Sequence, residues 1–134
     1  MAALLVAGAS LSLATAATSF PPLKREPILD EKFGNAAPAP QQVKGARIAF
    51  APGQPTPYHL HPIPVVGVVT KGAFIFQIEG QPARTIKAGD AFFEPADTRI
   101  ARFDNASAGE PAEIVAFYLV DRPDRELIRI IGGN

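Results

Sequence analysis

The chain has 134 residues, and its 13 basic and 13 acidic residues give a formal net charge of zero, so nothing predicts a nucleic-acid partner. It contains no cysteine, which excludes disulfides, a thiolate nucleophile and cysteine metal ligands. Its 14 prolines and 11 glycines interrupt the sequence often, which favours many short strands over long helices.

The first 19 residues carry no charged side chain and end in small residues. This apolar run is typical of the hydrophobic region and cleavage site of a secretory signal, so we predict a signal peptide over residues 1–19. Serine and threonine interrupt the run, and we therefore expect no stable membrane span. The protein is expected to be exported to the periplasm or the extracellular space.

Residues 20–45 are rich in proline and show little periodicity, so we predict an N-terminal arm or linker. Within it, the stretch PILDEKF (residues 27–33) is a candidate short edge strand, because a proline is tolerated at the start of such a strand. The arm is also a candidate to cover a sheet edge, and we expect the protein to form a homodimer.

From residue 46 to residue 134 the pattern becomes regular. Short apolar or alternating runs recur about every ten residues, separated by Gly, Pro, Asp or Asn, which predicts an all-β sandwich or barrel. The runs are ARIAFAPG, VVGVVTKG, AFIFQIEG, ARTIKAGD, AFFEPAD, TRIARFDN, EIVAFYLV and ELIRIIGGN. We expect the core to contain six phenylalanines: Phe74, Phe76, Phe92, Phe93, Phe103 and Phe117.

Both histidines of the chain fall in the stretch YHLHPIPVVG. Because residues i and i+2 of a strand point to the same face, His59 and His61 can converge on one point. The prolines around them stiffen the segment and reduce the entropic cost of that arrangement. Imidazole suits zinc, iron, copper and nickel, so the pair is a candidate metal site. The alternative is a pair of neutral, hydrogen-bonded histidines in a barrel without metal.

The spacing around these histidines resembles the first motif of the cupin superfamily, at Gly53, His59, His61, Val65 and Gly72. A degraded second motif follows, from Gly89 through Pro95 to Asp104 and Asn105. The chain looks like a small single-domain cupin of type 2. The resemblance implies a double-stranded β-helix, or jelly-roll barrel, whose sheets enclose a pocket.

The chain departs from the family pattern at two customary metal ligands. The first motif usually has a glutamate where this chain has Val65, and the second usually has a histidine where it has Ile100. The resemblance therefore implies a divalent transition metal (Fe, Mn, Zn, Ni or Cu) with an incomplete ligand set. Glu94 is the candidate extra ligand, and Gln77 and Glu79 are alternatives.

Strand alternation suggests a ligand-binding role for Arg102. If Ile100 faces the pocket, Arg102 should share its face and attract an anionic ligand. The alternative is that Arg102 pairs with Glu94 or Asp104 outside the pocket. Tyr58 and Gln77 are the other candidate ligand-binding residues.

These features predict an exported small cupin that binds a divalent metal, a small organic ligand, or both in the barrel. The alternative is a metal-dependent oxygenase or isomerase acting on a small organic substrate. The sequence leaves open whether the protein is an enzyme, because it shows no catalytic residue and neither a serine nucleophile motif nor a phosphate loop.

Overall fold

A computed structural model describes residues 22–33 and 39–132 of the chain, so the predicted signal peptide lies outside the described residues. The regular secondary structure of the described part consists of strands. It includes no helix that is long and apolar enough to span a membrane. The strands are β1 (Gln42–Phe50), β2 (His59–Leu60), β3 (Val65–Lys71), β4 (Ala73–Ile78), β5 (Arg84–Lys87), β6 (Ala91–Glu94), β7 (Arg99–Asn105), β8 (Ala112–Val120) and β9 (Arg129–Ile130).

The strands form two antiparallel sheets, in agreement with the predicted all-β jelly roll. Sheet A has the order β1-β8-β3-β6, and sheet B has the order β5-β4-β7-β2-β9. The chain crosses from sheet A to sheet B at Gly72, between β3 and β4. Gly72 has a φ of 75°, a conformation that glycine adopts without steric cost.

The core lies between the two sheets and is built from alternate residues of each strand. Phe103 is at its centre, because its ring contacts those of Phe74, Phe76 and Phe92 at centroid distances of 5.2, 5.3 and 4.9 Å. Phe92 belongs to sheet A and the other three rings to sheet B, so the edge-to-face contact between Phe92 and Phe103 joins the two sheets.

Phe117 was predicted to be in the core, but its side chain is 41% exposed on the outer face of sheet A. Alternation along β8 turns Ala116 and Tyr118 inward instead, so the intervening ring faces outward. The stretch PILDEKF forms no strand, although the Phe33 ring lies 6.2 Å from that of Phe93. Residues 42–45, which were assigned to the arm, belong to β1.

Gly67 allows the Phe92 ring to cross from β6 over β3. A methyl group added at Gly67 would overlap the Phe92 ring and lie 2.5 Å from the Val115 carbonyl oxygen. We expect Gly67→Ala to lower the free energy of unfolding by about 3 kcal/mol, because neither the ring nor the backbone can move aside cheaply. Urea denaturation of both proteins measures this loss.

Gly109→Ala is the matched control, since no atom lies within 4 Å of the methyl that it adds. It should change the unfolding free energy by no more than about 0.5 kcal/mol. Similar losses in the two variants would contradict the proposed role of Gly67 in the packing of Phe92.

Candidate metal centre

Three buried side chains from the two sheets meet in the space between them. His59 is the first residue of β2, and His61 is the residue directly after that strand. Glu94 is the last residue of β6 in the opposite sheet. Their exposed fractions are 3%, 4% and 4%. One ligand atom from each side chain lies within 4.8 Å of the other two. The structure thus brings the candidate extra ligand, Glu94, to both histidines.

Backbone carbonyls fix the orientation of both imidazole rings. Nδ1 of His59 lies 2.7 Å from the Pro57 carbonyl oxygen, and Nδ1 of His61 lies 2.6 Å from that of Leu127. A carbonyl oxygen can only accept a hydrogen bond, so Nδ1 is the protonated donor in each ring. Each Nε2 can then present a lone pair to the space beside Glu94, which is the usual arrangement of metal-binding histidines.

The two Nε2 atoms and the Glu94 carboxylate converge at distances that suit metal binding. Nε2 of His59 is 3.7 Å from Oε1 of Glu94, and Nε2 of His61 is 3.3 Å from Oε2. Neutral Nε2 and an ionised carboxylate are all acceptors, so they repel unless a proton or a metal cation lies between them. Atoms that bind one ion at about 2.1 Å lie roughly 3.0–3.5 Å apart. Two imidazoles and a carboxylate therefore fit a divalent transition metal.

In the absence of metal, a proton shared by this cluster is stabilised. Burial on its own lowers the pKa of His59, but the Glu94 carboxylate and the Pro57 carbonyl outweigh it and raise that pKa above its ordinary 6.5. Burial would likewise raise the pKa of Glu94, but contacts with His59 and His61 hold it below its ordinary 4.5. The metal-free site therefore favours an ion pair.

These shifts predict a pH window for the stability of the metal-free protein. The contribution of Glu94 is present above pH 4.5 and is lost as the pH falls through its lowered pKa. The contribution of His59 is present below pH 6.5 and is lost as the pH rises through its raised pKa. With a chelator present, stability from this pair should be greatest between pH 4.5 and 6.5. Urea denaturation across pH 3–9 measures it.

The Glu94→Gln variant is the control, because a neutral amide cannot form the ion pair. The difference in unfolding free energy between the parent protein and this variant should be largest in the same window and decrease on both sides. A difference that does not change with pH would contradict the ion pair.

Added metal should stabilise the parent protein more at pH 8 than at pH 5.5, because metal competes with protons for imidazole.

The inner face of sheet A explains how a carboxylate reaches the histidines without a glutamate at position 65. Val65 pairs with Glu94 across β3 and β6, and with Tyr118 across β3 and β8. Directly opposite residues in an antiparallel ladder point to the same face, so Glu94 occupies the neighbouring position in the row. Val65 lies between Glu94 and Tyr118 in this row, and all three side chains line one cavity.

The second departure from the family pattern has no such substitute. Ile100 pairs with His59 across β2 and β7, and it is fully buried. An aliphatic side chain here cannot bind a metal. Among the described residues, the histidine and carboxylate ligands of the site therefore number three, and other coordination positions of an ion would be available to water or to a bound molecule.

A cavity of about 160 Å³ adjoins the three side chains, and we call it the lumen. Its wall is mainly apolar and includes Ile48, Phe50, Val65, Phe103, Ile114 and Ala116. Tyr118 also lines it, with its ring 5.8 Å from that of His61. Burial, and then the negative charge of Glu94, raise the pKa of Tyr118 above its ordinary 10.0. Its hydroxyl is therefore protonated at neutral pH.

Sequence reasoning missed Tyr118. The signal that could have found it is the alternation along EIVAFYLV, which places Ile114, Ala116 and Tyr118 on one face.

The prediction that Arg102 faces the pocket is wrong. Gln77 pairs with Arg102 while Ile78 pairs with Ile100, so β7 has a bulge at the intervening residue. A bulge reverses the alternation that follows it, and the inward face passes from Ile100 to Phe103. The Arg102 side chain is 48% exposed, and its Nε donates to Asp104 at 2.8 Å. This is the alternative pairing weighed from the sequence.

The other candidate side chains are also engaged outside the lumen. Gln77 donates from Nε2 to the Gln81 carbonyl oxygen at 2.9 Å. The Tyr58 hydroxyl donates to Glu79, whose carboxylate also lies 3.5 Å from Arg99. None of these side chains lines the lumen, so the predictions of ligand binding by Tyr58 and Gln77, and of Gln77 or Glu79 as a metal ligand, have no support from the geometry.

Comparison with known proteins agrees with this architecture. A family model described as "Cupin domain" matches residues 46–118. The sequence is 39% identical over 62 residues to an (R)-mandelonitrile lyase of Granulicella tundricola, and the match covers 46% of this chain and 47% of the lyase.

Solved structures with a similar fold include oxalate oxidase in complex with the substrate analogue glycolate. The identity is 27% and the TM-score 0.56, over 66% of this chain and 46% of the oxidase. A cupin-like protein of Thermotoga maritima is 25% identical with a TM-score of 0.56, over 67% of this chain and 65% of that protein. The chain thus spans about half the length of the lyase and of the oxidase.

Proposed function

The chain belongs to the cupin domain family, and from this premise we propose that it binds a divalent transition metal through His59, His61 and Glu94. We propose further that it binds a small organic molecule beside this ion in the lumen. The identity of the metal among Fe, Mn, Zn, Ni and Cu is left to experiment, because two imidazoles and one carboxylate suit all of them.

One observation carries the proposal. Three acceptor atoms from buried side chains face one point, and both imidazoles have their other nitrogen bound to a backbone carbonyl. Burying three acceptors together is costly unless a cation satisfies them. The alternative of metal-free, structural histidines requires a proton in that position, and this proton is progressively lost as the pH rises.

Each of the two sheets supplies a different part of the site. Sheet B supplies the two neutral imidazoles, whose orientation is set by Pro57 and Leu127. Sheet A supplies the carboxylate and the apolar floor around Val65. A divalent ion held by these residues would act as a Lewis acid towards an oxygen atom of a bound molecule.

The relatives support a small organic ligand. Oxalate oxidase and (R)-mandelonitrile lyase are both named for reactions of small organic molecules, and the lumen of about 160 Å³ is of a matching scale. An engineered apolar cavity of about 150 Å³ is known to accept benzene. A ligand of similar size is therefore the best fit.

We expect the purified chain to bind one divalent metal ion and the His59→Ala/His61→Ala double variant to bind more than about 100-fold more weakly. The reason is that the two imidazoles are two of the three ligands, and loss of even an outer contact typically costs 10- to 100-fold. Metal content after dialysis, measured by plasma mass spectrometry, tests this for each candidate metal.

Arg102→Ala is a suitable control, because this side chain lies outside the lumen. It should retain the metal content of the parent protein. Equal metal content in the double variant and in the parent would show that the metal binds elsewhere, and the histidines would then be structural.

A second candidate function is a metal-dependent oxygenase or isomerase. It is favoured by the ligand set, because two histidines and one carboxylate are also the protein ligands of non-haem iron oxygenases. Oxygen uptake by the iron-loaded protein in the presence of small carboxylates would support the oxygenase, and its absence would favour a binding or isomerase role.

Export and pairing into a homodimer are also part of this proposal. Export is suggested by the sequence of residues 1–19. Pairing is suggested by exposed apolar side chains on sheet A and on β9, including Val43, Phe117 and Ile130. Cell fractionation and light scattering of the purified protein test the two statements separately.

A further inference from the structure

We propose that the lumen selects a small apolar monocarboxylate and that Tyr118 determines this specificity by donating a hydrogen bond to the carboxylate. The inference rests on the proposed metal centre, because it requires an ion beside Glu94. It adds the chemical class of the ligand and the residue that recognises it.

The size and the apolar lining of the lumen determine the size and polarity of the carbon skeleton that it can hold. A cavity of about 160 Å³ accommodates a phenyl ring or a short branched alkyl group, but not a larger skeleton. Phe50, Phe103 and Ile114 form apolar walls, which favour such a group over a polar one.

The charge of the centre sets the charge of the ligand. A divalent ion with two neutral imidazoles and the Glu94 carboxylate carries a net charge of +1, and no lysine or arginine of the described chain lines the lumen. A monoanion neutralises this charge. A neutral ligand leaves a buried charge of +1 and a dianion leaves one of −1, and both are costly in an apolar cavity.

Two hydroxyl groups in the lumen are available to the oxygen atoms of a ligand. The Tyr118 hydroxyl makes no hydrogen bond to any residue in the described part of the chain, and its side chain lies on the same face as Val65 and Glu94. The Thr56 hydroxyl also belongs to the lining, and it is buried without a partner in the same described part. A buried hydroxyl is usually satisfied, which indicates that a polar ligand or water completes that of Thr56. The partly buried Tyr118 hydroxyl is free to donate to the same ligand.

The position of Tyr118 suits recognition of a carboxylate. Tyr118 lies on one side of Val65 in the row and Glu94 on the other, and all three line the lumen. The lumen is therefore bordered by the metal centre and by a hydroxyl donor. One carboxylate oxygen can face the ion while the other accepts from Tyr118. A ligand with a single oxygen can satisfy only one of these groups.

The test uses zinc-loaded full-length protein and three probes of similar size. Isobutyrate is an apolar monoanion, isobutyramide is its neutral isostere, and malonate is a dianion. Isothermal titration calorimetry should show isobutyrate binding at least about 10-fold more tightly than either of the others. Tyr118→Phe should weaken isobutyrate by about 10- to 100-fold, as expected for loss of a hydrogen bond to a charged group.

Tyr58→Phe is the matched control, because that hydroxyl bonds to Glu79 outside the lumen. It should leave isobutyrate affinity unchanged. Equal binding of isobutyramide or malonate, or undiminished isobutyrate binding by Tyr118→Phe, would overturn the inference while the zinc content upholds the metal centre. Protein that retains no zinc would overturn the metal centre and this inference together.

Discussion

Replacing Glu94 by valine is expected to lower metal affinity by more than about 100-fold, and adding Val65→Glu to that variant is expected to restore at least about 10-fold of the loss. The first effect follows from loss of the only carboxylate in the cluster, together with its charge. The second follows from the register of the sheet, because Val65 and Glu94 are direct cross-strand partners on the inner face. Their Cβ atoms are then about 5 Å apart, a distance that a glutamate side chain can span.

Competition titration with a coloured chelator measures the affinity of the four proteins in this double-mutant cycle.

The single Val65→Glu variant should differ from the restored double variant in its stability without metal. It places two carboxylates side by side in a buried row, so the metal-free protein should be less stable than the parent. Metal should recover part of that stability, because it binds only the folded state.

Val66→Glu in the Glu94→Val background is the matched control. It introduces the same residue on the same strand, but on the opposite face of sheet A. It should restore no affinity. Equal recovery with glutamate at position 66 would show that added charge alone, and not its place beside the histidines, controls metal binding.

The fold could be predicted from the sequence because its determinants are local. Short apolar or alternating runs, separated by turn residues, marked all the longer strands, and the resemblance to cupins supplied their arrangement. β2 has only two residues and gives no periodic signal, although the prolines that flank it predicted an extended segment. PILDEKF has the composition of an edge strand, but a strand also requires a partner, and none pairs with it in the described part.

The candidate site could be predicted only in part, because its missing elements depend on register. His59 and His61 share a face through local alternation. Glu94 reaches them only because β6 pairs with β3 in one register, and two other strands lie between these two in the sequence. The sequence could therefore name Glu94 as a candidate but could not choose it over Gln77 or Glu79.

Arg102 illustrates the opposite case, in which a local rule fails. Alternation from Ile100 predicts an inward side chain, and one bulged residue is enough to reverse that orientation. No pattern in TRIARFDN marks the bulge. A one-residue shift exchanges the two faces of a strand, so predicted site residues beyond a bulge fall on the wrong side.

Removal of the C-terminal residues 127–134 is expected to weaken metal binding by about 10- to 100-fold. Leu127 supplies the carbonyl that accepts from Nδ1 of His61, and β9 pairs with β2 beside His59. Loss of an outer partner of a metal-binding histidine typically has a cost of this size, because the ring and its tautomer are no longer fixed. The longer ladders of both sheets do not involve this segment, so the barrel should persist.

Nitrogen NMR shifts of the two imidazoles separate this effect from general unfolding. In the truncated protein His61 should lose its single tautomer, while His59 should keep its own because its partner is the Pro57 carbonyl. Removal of residues 132–134 alone is the control, since it leaves the bond from the Ile131 backbone amide to the Tyr58 carbonyl oxygen in place. Unchanged metal affinity after the longer truncation would show that the Leu127 carbonyl does not position His61. Loss of a fixed tautomer at both rings would instead trace the weakened affinity to disruption of β2 as a whole.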